Sequence, residues 1–188
     1  FPVLTLSAEC LLTERGTPSI IMWILLLCGT NCNPYIPEYL FMAHSLYITG
    51  TEGSSGKTVV TLGLMHFLQS QVRKVAFFRP IIDSEDEARR DSSINLILKH
   101  FELDMLYRDT YACTYKEALE LVTSGNMSLL IEKIFQKYKA LENEYDFVLC
   151  QGTDFRDKDT AVQFELNSEI AASLNIPLAL VINGKDKS

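Results

Sequence analysis

Between residues 45 and 182, short and continuously apolar runs alternate with longer stretches whose apolar residues return every three or four positions. The runs at 45–49 (SLYIT), 74–80 (KVAFFRP), 145–150 (YDFVLC) and 177–182 (PLALVI) are of strand length and rich in β-formers. Because they lack a regular polar face, they predict strands buried on both sides. In 56–71 (GKTVVTLGLMHFLQSQ), Val60, Leu64, Phe67 and Leu68 recur at helical spacing. Helices are likewise predicted at 92–101 (SSINLILKHF, capped by Asp91 or Ser92), 114–122, 128–141 and 163–174. Ser124, Gly125 and Asn126 separate the third of these helices from the fourth. The charged stretch 83–90 (DSEDEARR) reads as a solvated loop. Strand and helix in alternation predict an α/β fold: a parallel sheet with helices on both faces.

The pattern is different before Met42. Residues 1–41 hold one apolar run, 20–28, far shorter than the ~20 residues of a membrane span, and Pro18, Pro34 and Pro37 interrupt any regular element. The expectation is that residues 1–41 are a non-native or disordered leader, with a membrane-directed leader as the rival reading. Residues 42–188 then form one domain. It stops at NGKDKS, two steps after the fourth strand, where a sheet of this kind ordinarily continues, so Ser188 reads as a truncation point.

Charge and cysteine usage narrow the function classes. A net charge of −7 with no extended Lys/Arg run argues against a nucleic-acid partner. The five scattered cysteines suit reduced thiols in a cytoplasmic protein better than a disulfide framework. Cys28 and Cys32 lack the second Cys/His pair that a zinc site needs. His66 and His100 have no readable Ser or Cys partner, and no Gly-x-Ser-x-Gly elbow occurs, so no catalytic residue is assigned.

The segment GTEGSSGKT joins the first strand to the first helix and carries the candidate chemistry. A loop in that place gathers unpaired backbone N–H groups and the positive end of the helix dipole. Gly50, Gly53 and Gly56 let the backbone curl around an anion, with Thr51, Glu52, Ser54 and Ser55 supplying the rest of the loop. Lys57 then offers a positive charge to the outer phosphates, and the Thr58 hydroxyl offers a ligand to Mg²⁺. The bland alternative is a Gly/Ser-rich turn; its position before the first helix favours the phosphate loop. Five residues, not the familiar four, separate Gly50 from Gly56.

That spacing resembles the loop of dethiobiotin synthetase, an ATP-dependent ligase, within the P-loop NTPases. FFRP after the second strand is similar to the family's aromatic-Lys-Pro signature, with Arg79 for the Lys, and EIAASLNIPLALVIN is similar to its later helix and strand. More narrowly, the chain resembles the dethiobiotin-synthetase-like N-terminal domain of the phosphate acetyltransferase family from Ala43 to about Lys187. VLCQGTD stands where that domain carries a hydrophobic run followed by Glu-Gly. The resemblance implies ATP or another nucleoside triphosphate as cofactor and an acid at the place of Gln151 to hold Mg²⁺. It also implies Arg79 as a phosphate or carboxylate contact, and Asp91 as a second metal contact where residue chemistry alone suggests a helix cap. A neutral amide at 151 holds Mg²⁺ less firmly, with Asp154 as a partial substitute or a plain loop residue. Metal dependence is therefore expected to be weak.

The expected function is a nucleotide-binding, regulatory domain whose full-length parent transfers acetyl groups reversibly between coenzyme A and phosphate. The acetyltransferase domain would lie downstream, and the fragment itself would be non-catalytic. The alternative is a stand-alone ligase of the dethiobiotin synthetase type. Gln151, Arg79 and the lack of a Glu-Gly-Ala-Gly-Gly segment favour the first. No membrane partner is expected, and homo-oligomerisation stays open.

Overall fold

The computed structural model describes residues 4–5, 44–50, 56–83, 90–153 and 160–182. Five strands form one parallel sheet: β1 (Leu4–Thr5), β2 (Ser45–Gly50), β3 (Val75–Phe78), β6 (Phe147–Gln151) and β7 (Leu178–Val181), in the spatial order β1-β7-β2-β6-β3. The helices are α1 (Lys57–Gln71), α2 (Ser92–His100), α3 (Tyr115–Thr123), α4 (Met127–Glu144) and α5 (Thr160–Ser173). The short strands β4 (Ile81–Ile82) and β5 (Cys113–Thr114) pair in parallel as a separate two-stranded sheet.

The strands read as unbroken apolar runs because both faces are covered. Tyr47, Ala76, Phe78 and Val148 point into one core, where Leu130, Ile134, Tyr138 and Ile170 of α4 and α5 meet them. Their neighbours Ile48, Phe77 and Leu149 point the other way, against Met65 and Leu68 of α1 and Ile94 and Ile97 of α2. Successive side chains of a strand leave on opposite faces, so one five-residue strand feeds two hydrophobic layers. The expected sheet with helices on both faces is present.

Local chemistry sets the helix limits. Asp91, not Ser92, caps α2, its carboxylate accepting from the Ser93 and Ile94 amides at 2.9 and 3.1 Å. Thr114 and Glu117 form a reciprocal capping box at the start of α3. Asn175, with φ of 55°, ends α5 as its left-handed residue.

Two features differ from the sequence expectation. The run 74–80 ends as a strand at Phe78. The Arg79 amide then donates to the Thr110 carbonyl (2.7 Å), and Ile81–Ile82 pairs elsewhere. In α1 the fully buried residues are Lys57, Thr61, Met65 and Leu68, so of the four apolar positions that mark the helix only Leu68 is fully buried. Val60, Leu64 and Phe67 lie half-buried at the flank of that stripe. The reason is local: polar Lys57 and Thr61 occupy the inward positions of the first two turns.

Among the described residues, no helix is long and apolar enough to cross a membrane. Of the leader, only Leu4 and Thr5 are described, paired in parallel with Ala179 and Leu180.

Candidate functional site

The ends of β2, β6 and β3 meet at the carboxyl edge of the sheet, where open parallel sheets bind their ligands. β2 finishes at Gly50, and β6 is its neighbour, with Gln151 in register with Ile48. β3 lies on the far side of β6, with Phe78 in register with Cys150. Arg79 therefore follows β3 at the same edge that Gln151 reaches from β6.

Helix α1 opens at this edge. Gly56 precedes it with φ 85° and ψ 12°, a left-handed conformation that costs a residue with a Cβ about 1–2 kcal/mol. Its carbonyl accepts the first amides of the helix, from Val59 at 3.0 Å and Val60 at 3.2 Å. Lys57 is the first helical residue and is only 4% exposed; Thr58 follows, half-buried. No acidic side chain stands in the first turn of α1 to neutralise its dipole end. Thr51, Glu52, Gly53, Ser54 and Ser55 of the predicted loop lie outside the described residues, as does Asp154.

Near the start of α1 the buried polar groups are incompletely matched among the described residues. Gln151 is 2% exposed, and its Oε1 has no hydrogen-bond partner among the described residues; the same holds for Thr61 Oγ1 of α1. Strand alternation puts Gln151 on the α1 face, with Ile48 and Leu149. An unmatched buried polar atom costs about 1–3 kcal/mol. A buried oxygen acceptor on the α1 face therefore fits a site completed by a donor, a cation or bound water. No group of three or more His, Cys, Asp and Glu side chains suited to hold a metal by themselves occurs among the described residues. A Mg²⁺ here fits only as part of a nucleotide complex, with oxygen ligands supplied by the phosphates.

Arg79 and Asp91 are brought together. Nη1 of Arg79 lies 3.3 Å from Asp91 Oδ1, and both side chains are buried. Arg79 Nε donates to Thr153 Oγ1 at 3.4 Å, and that hydroxyl in turn donates to the Ile81 carbonyl. A single oxygen of Asp91 thus serves the guanidinium and two amides of α2. The Asp91 amide donates to the Tyr107 hydroxyl at 2.6 Å, and the guanidinium of Arg90 covers the Tyr107 ring at 5.1 Å. The strand-end arginine is thereby tied to the start of α2 and to the segment that follows β6.

Sequence reasoning missed Tyr47, Gly152, Thr153 and Asn167. The Tyr47 hydroxyl donates to Asn167 Oδ1 at 2.9 Å, and Asn167 Nδ2 donates to the Thr153 carbonyl at 3.3 Å. A Cβ at Gly152 would overlap the Asn167 amide group and stand 3.2 Å from Tyr47 Cε1. Burial raises the Tyr47 hydroxyl well above its ordinary pKa, so it stays a donor. No spacing rule marks these residues, since Tyr47 and Asn167 read as ordinary members of a strand and a helix. Cys113 and Cys150 are buried free thiols held protonated by desolvation, Cys113 pushed up to about 12. A cavity of about 430 Å³ lies at the opposite end of β6, lined by Met105, Leu106, Lys137, Leu141 and Tyr145 among others, and contains none of these site residues.

Residues 44–188 match the family described as AAA domain. Phosphate acetyltransferase of Nitratidesulfovibrio vulgaris is 54% identical over 147 residues, which are 78% of this chain and 21% of that protein. The Synechocystis phosphate acetyltransferase is 36% identical over 76% of this chain and 20% of its own. ATP-dependent dethiobiotin synthetase of Clostridium kluyveri is 27% identical over 60% of this chain and 49% of its own. The chain thus spans about a fifth of the phosphate acetyltransferases and about half of the dethiobiotin synthetase that it matches.

Proposed function

The chain belongs to the P-loop family described as AAA domain, and from that membership we propose that it is the nucleotide-binding, regulatory domain of a phosphate acetyltransferase. Residues 50–58 hold the phosphates of ATP or another nucleoside triphosphate, with Lys57 as the charge on the outer phosphates and Arg79 as a further anion contact. The observation that carries the reading is the junction of β2 and α1. A left-handed Gly56, a buried Lys57 and a half-buried Thr58 open a helix at the ligand edge, on the sheet face to which Gln151 turns an Oε1 that has no hydrogen-bond partner among the described residues.

Mg²⁺, when bound with the nucleotide, offsets phosphate charge. In this proposal Thr58 and Gln151 are its protein oxygen ligands, and Asp91 joins only through the carboxylate oxygen that does not face Arg79. An amide gives a hard cation less attraction than a carboxylate does, so the reading favours binding over phosphoryl transfer. A regulatory role, the cytoplasm as location and an acetyltransferase domain in the same protein belong to the proposal.

Titrating ATP into the chain by calorimetry tests it. Lys57→Ala should weaken binding at least about tenfold, or ~1.4 kcal/mol; equal affinities would overturn the phosphate-loop role. In a regulatory domain the chain alone makes no acetyl phosphate from acetyl-coenzyme A and phosphate. The likeness to dethiobiotin synthetase over 60% of the chain supports a second reading, an ATP-dependent ligase. Dethiobiotin formation by the purified chain with ATP would establish it.

A further inference from the structure

Asn167 lies in the middle of α5, on the sheet face away from α1, and is 4% exposed. Its two amide ends are assigned by chemistry alone. The Thr153 partner is a carbonyl, which can only accept, so Nδ2 must face it; Oδ1 therefore faces Tyr47, whose hydroxyl donates. One side chain thus bridges β2, the strand that leads into the loop, and the segment that leaves β6. The bridge fits closely: Gly152 passes so near the Asn167 amide that no Cβ fits between them. From Thr153 the chain of bonds continues, because its hydroxyl accepts from Arg79 Nε and donates to the Ile81 carbonyl.

We propose that Asn167 is a positioning residue, fixing segment 151–153 at the ligand edge and, through the Thr153 hydroxyl, the guanidinium of Arg79. This rests on reading that edge as the nucleotide site. Its effect on binding passes through the placement of Gln151 and Arg79. Two polar ends and a glycine neighbour make the device specific. A side chain with only one of the two bonding functions cannot hold both the tyrosine hydroxyl and the carbonyl.

The test uses the full chain labelled with ¹⁵N, with the Arg79 Nε–H resonance assigned by its loss in Arg79→Lys. In Asn167→Ala that resonance should shift or broaden, and ATP affinity by calorimetry should fall about tenfold. Tyr47→Phe removes only the hydroxyl that holds Oδ1 and should move both readouts in the same direction by less. A lowered melting temperature with the resonance and the ATP affinity at wild-type values would show a merely structural asparagine and overturn the proposal. If Asn167→Ala does not fold, Tyr47→Phe decides by the same criteria. Failure of the unaltered chain to bind ATP would sink the nucleotide reading instead, and the Arg79 resonance would still decide whether Asn167 holds the segment.

Discussion

Gln151 stands in register with Ile48, and the amide of the next residue, Gly152, donates to the Ile48 carbonyl at 2.8 Å. The end of β6 is thereby locked beside the strand that runs two residues further, to Gly50, into the glycine-rich loop. A carboxylate at 151 would sit where the amide oxygen has no partner among the described residues. Gln151→Glu should strengthen the Mg²⁺ dependence of ATP binding by roughly a decade, as a charge-assisted contact of about 1.5–3 kcal/mol implies. Titrating ATP at several Mg²⁺ concentrations measures it. Identical metal dependence in both proteins would remove Gln151 from the metal.

The Arg79–Asp91 pair is buried, with side chains 8% and 6% exposed, so its loss should be costly. Asp91→Ala strands the guanidinium and uncaps α2, an expected loss of about 3–5 kcal/mol. Asp91→Asn keeps an oxygen for the Ser93 and Ile94 amides and should cost less. Urea unfolding of both variants gives the order, and equal losses would mean that the cap adds nothing beyond the ion pair.

Gly152→Ala places a methyl group against Asn167 and Tyr47 Cε1, both parts of a packed layer. Overpacking of this kind costs about 1–3 kcal/mol. Combining it with Asn167→Ala should return part of that loss, since the overlapping amide is gone. Losses that simply add in a thermal-denaturation cycle would place the strain elsewhere.

The buried thiols predict a pH effect with a definite sign. Desolvation raises Cys113 from 9.0 to about 12 and raises Cys150 further. The folded state therefore holds protons that the unfolded state releases above pH 9. Their contribution to stability is complete below that pH and declines as pH rises towards the folded values. Thiolate is the reactive form, so iodoacetamide at pH 8 should leave both cysteines unmodified in native protein and label them after unfolding. Peptide mass spectrometry reads the outcome; labelling at the native rate of an exposed thiol would contradict the burial.

The sequence by itself determined the order of β2, β3, β6 and β7 with the five helices, and that their sheet is parallel, but not the short strands β1, β4 and β5. Both rest on local information: unbroken apolar runs, helical spacing and cap residues such as Asp91 and Thr114. It also placed the glycine-rich loop, because Gly56, Lys57 and Thr58 sit together where a strand gives way to a helix.

The tertiary structure alone decided which neighbour faces which layer. Tyr47 and Ile48 are both apolar, and a strand buried on two faces gives no polar residue to tell them apart. The rotation of α1, with Lys57 and Thr61 inward, does not follow hydrophobicity. The β4–β5 pairing joins Ile81 to Cys113, two residues too far apart for any local pattern to relate. The same holds for Arg79 with Asp91 and Thr153, and for Asn167 with Tyr47. A polar side chain can be buried only where distant chain supplies its partner, and that partner is set by folding.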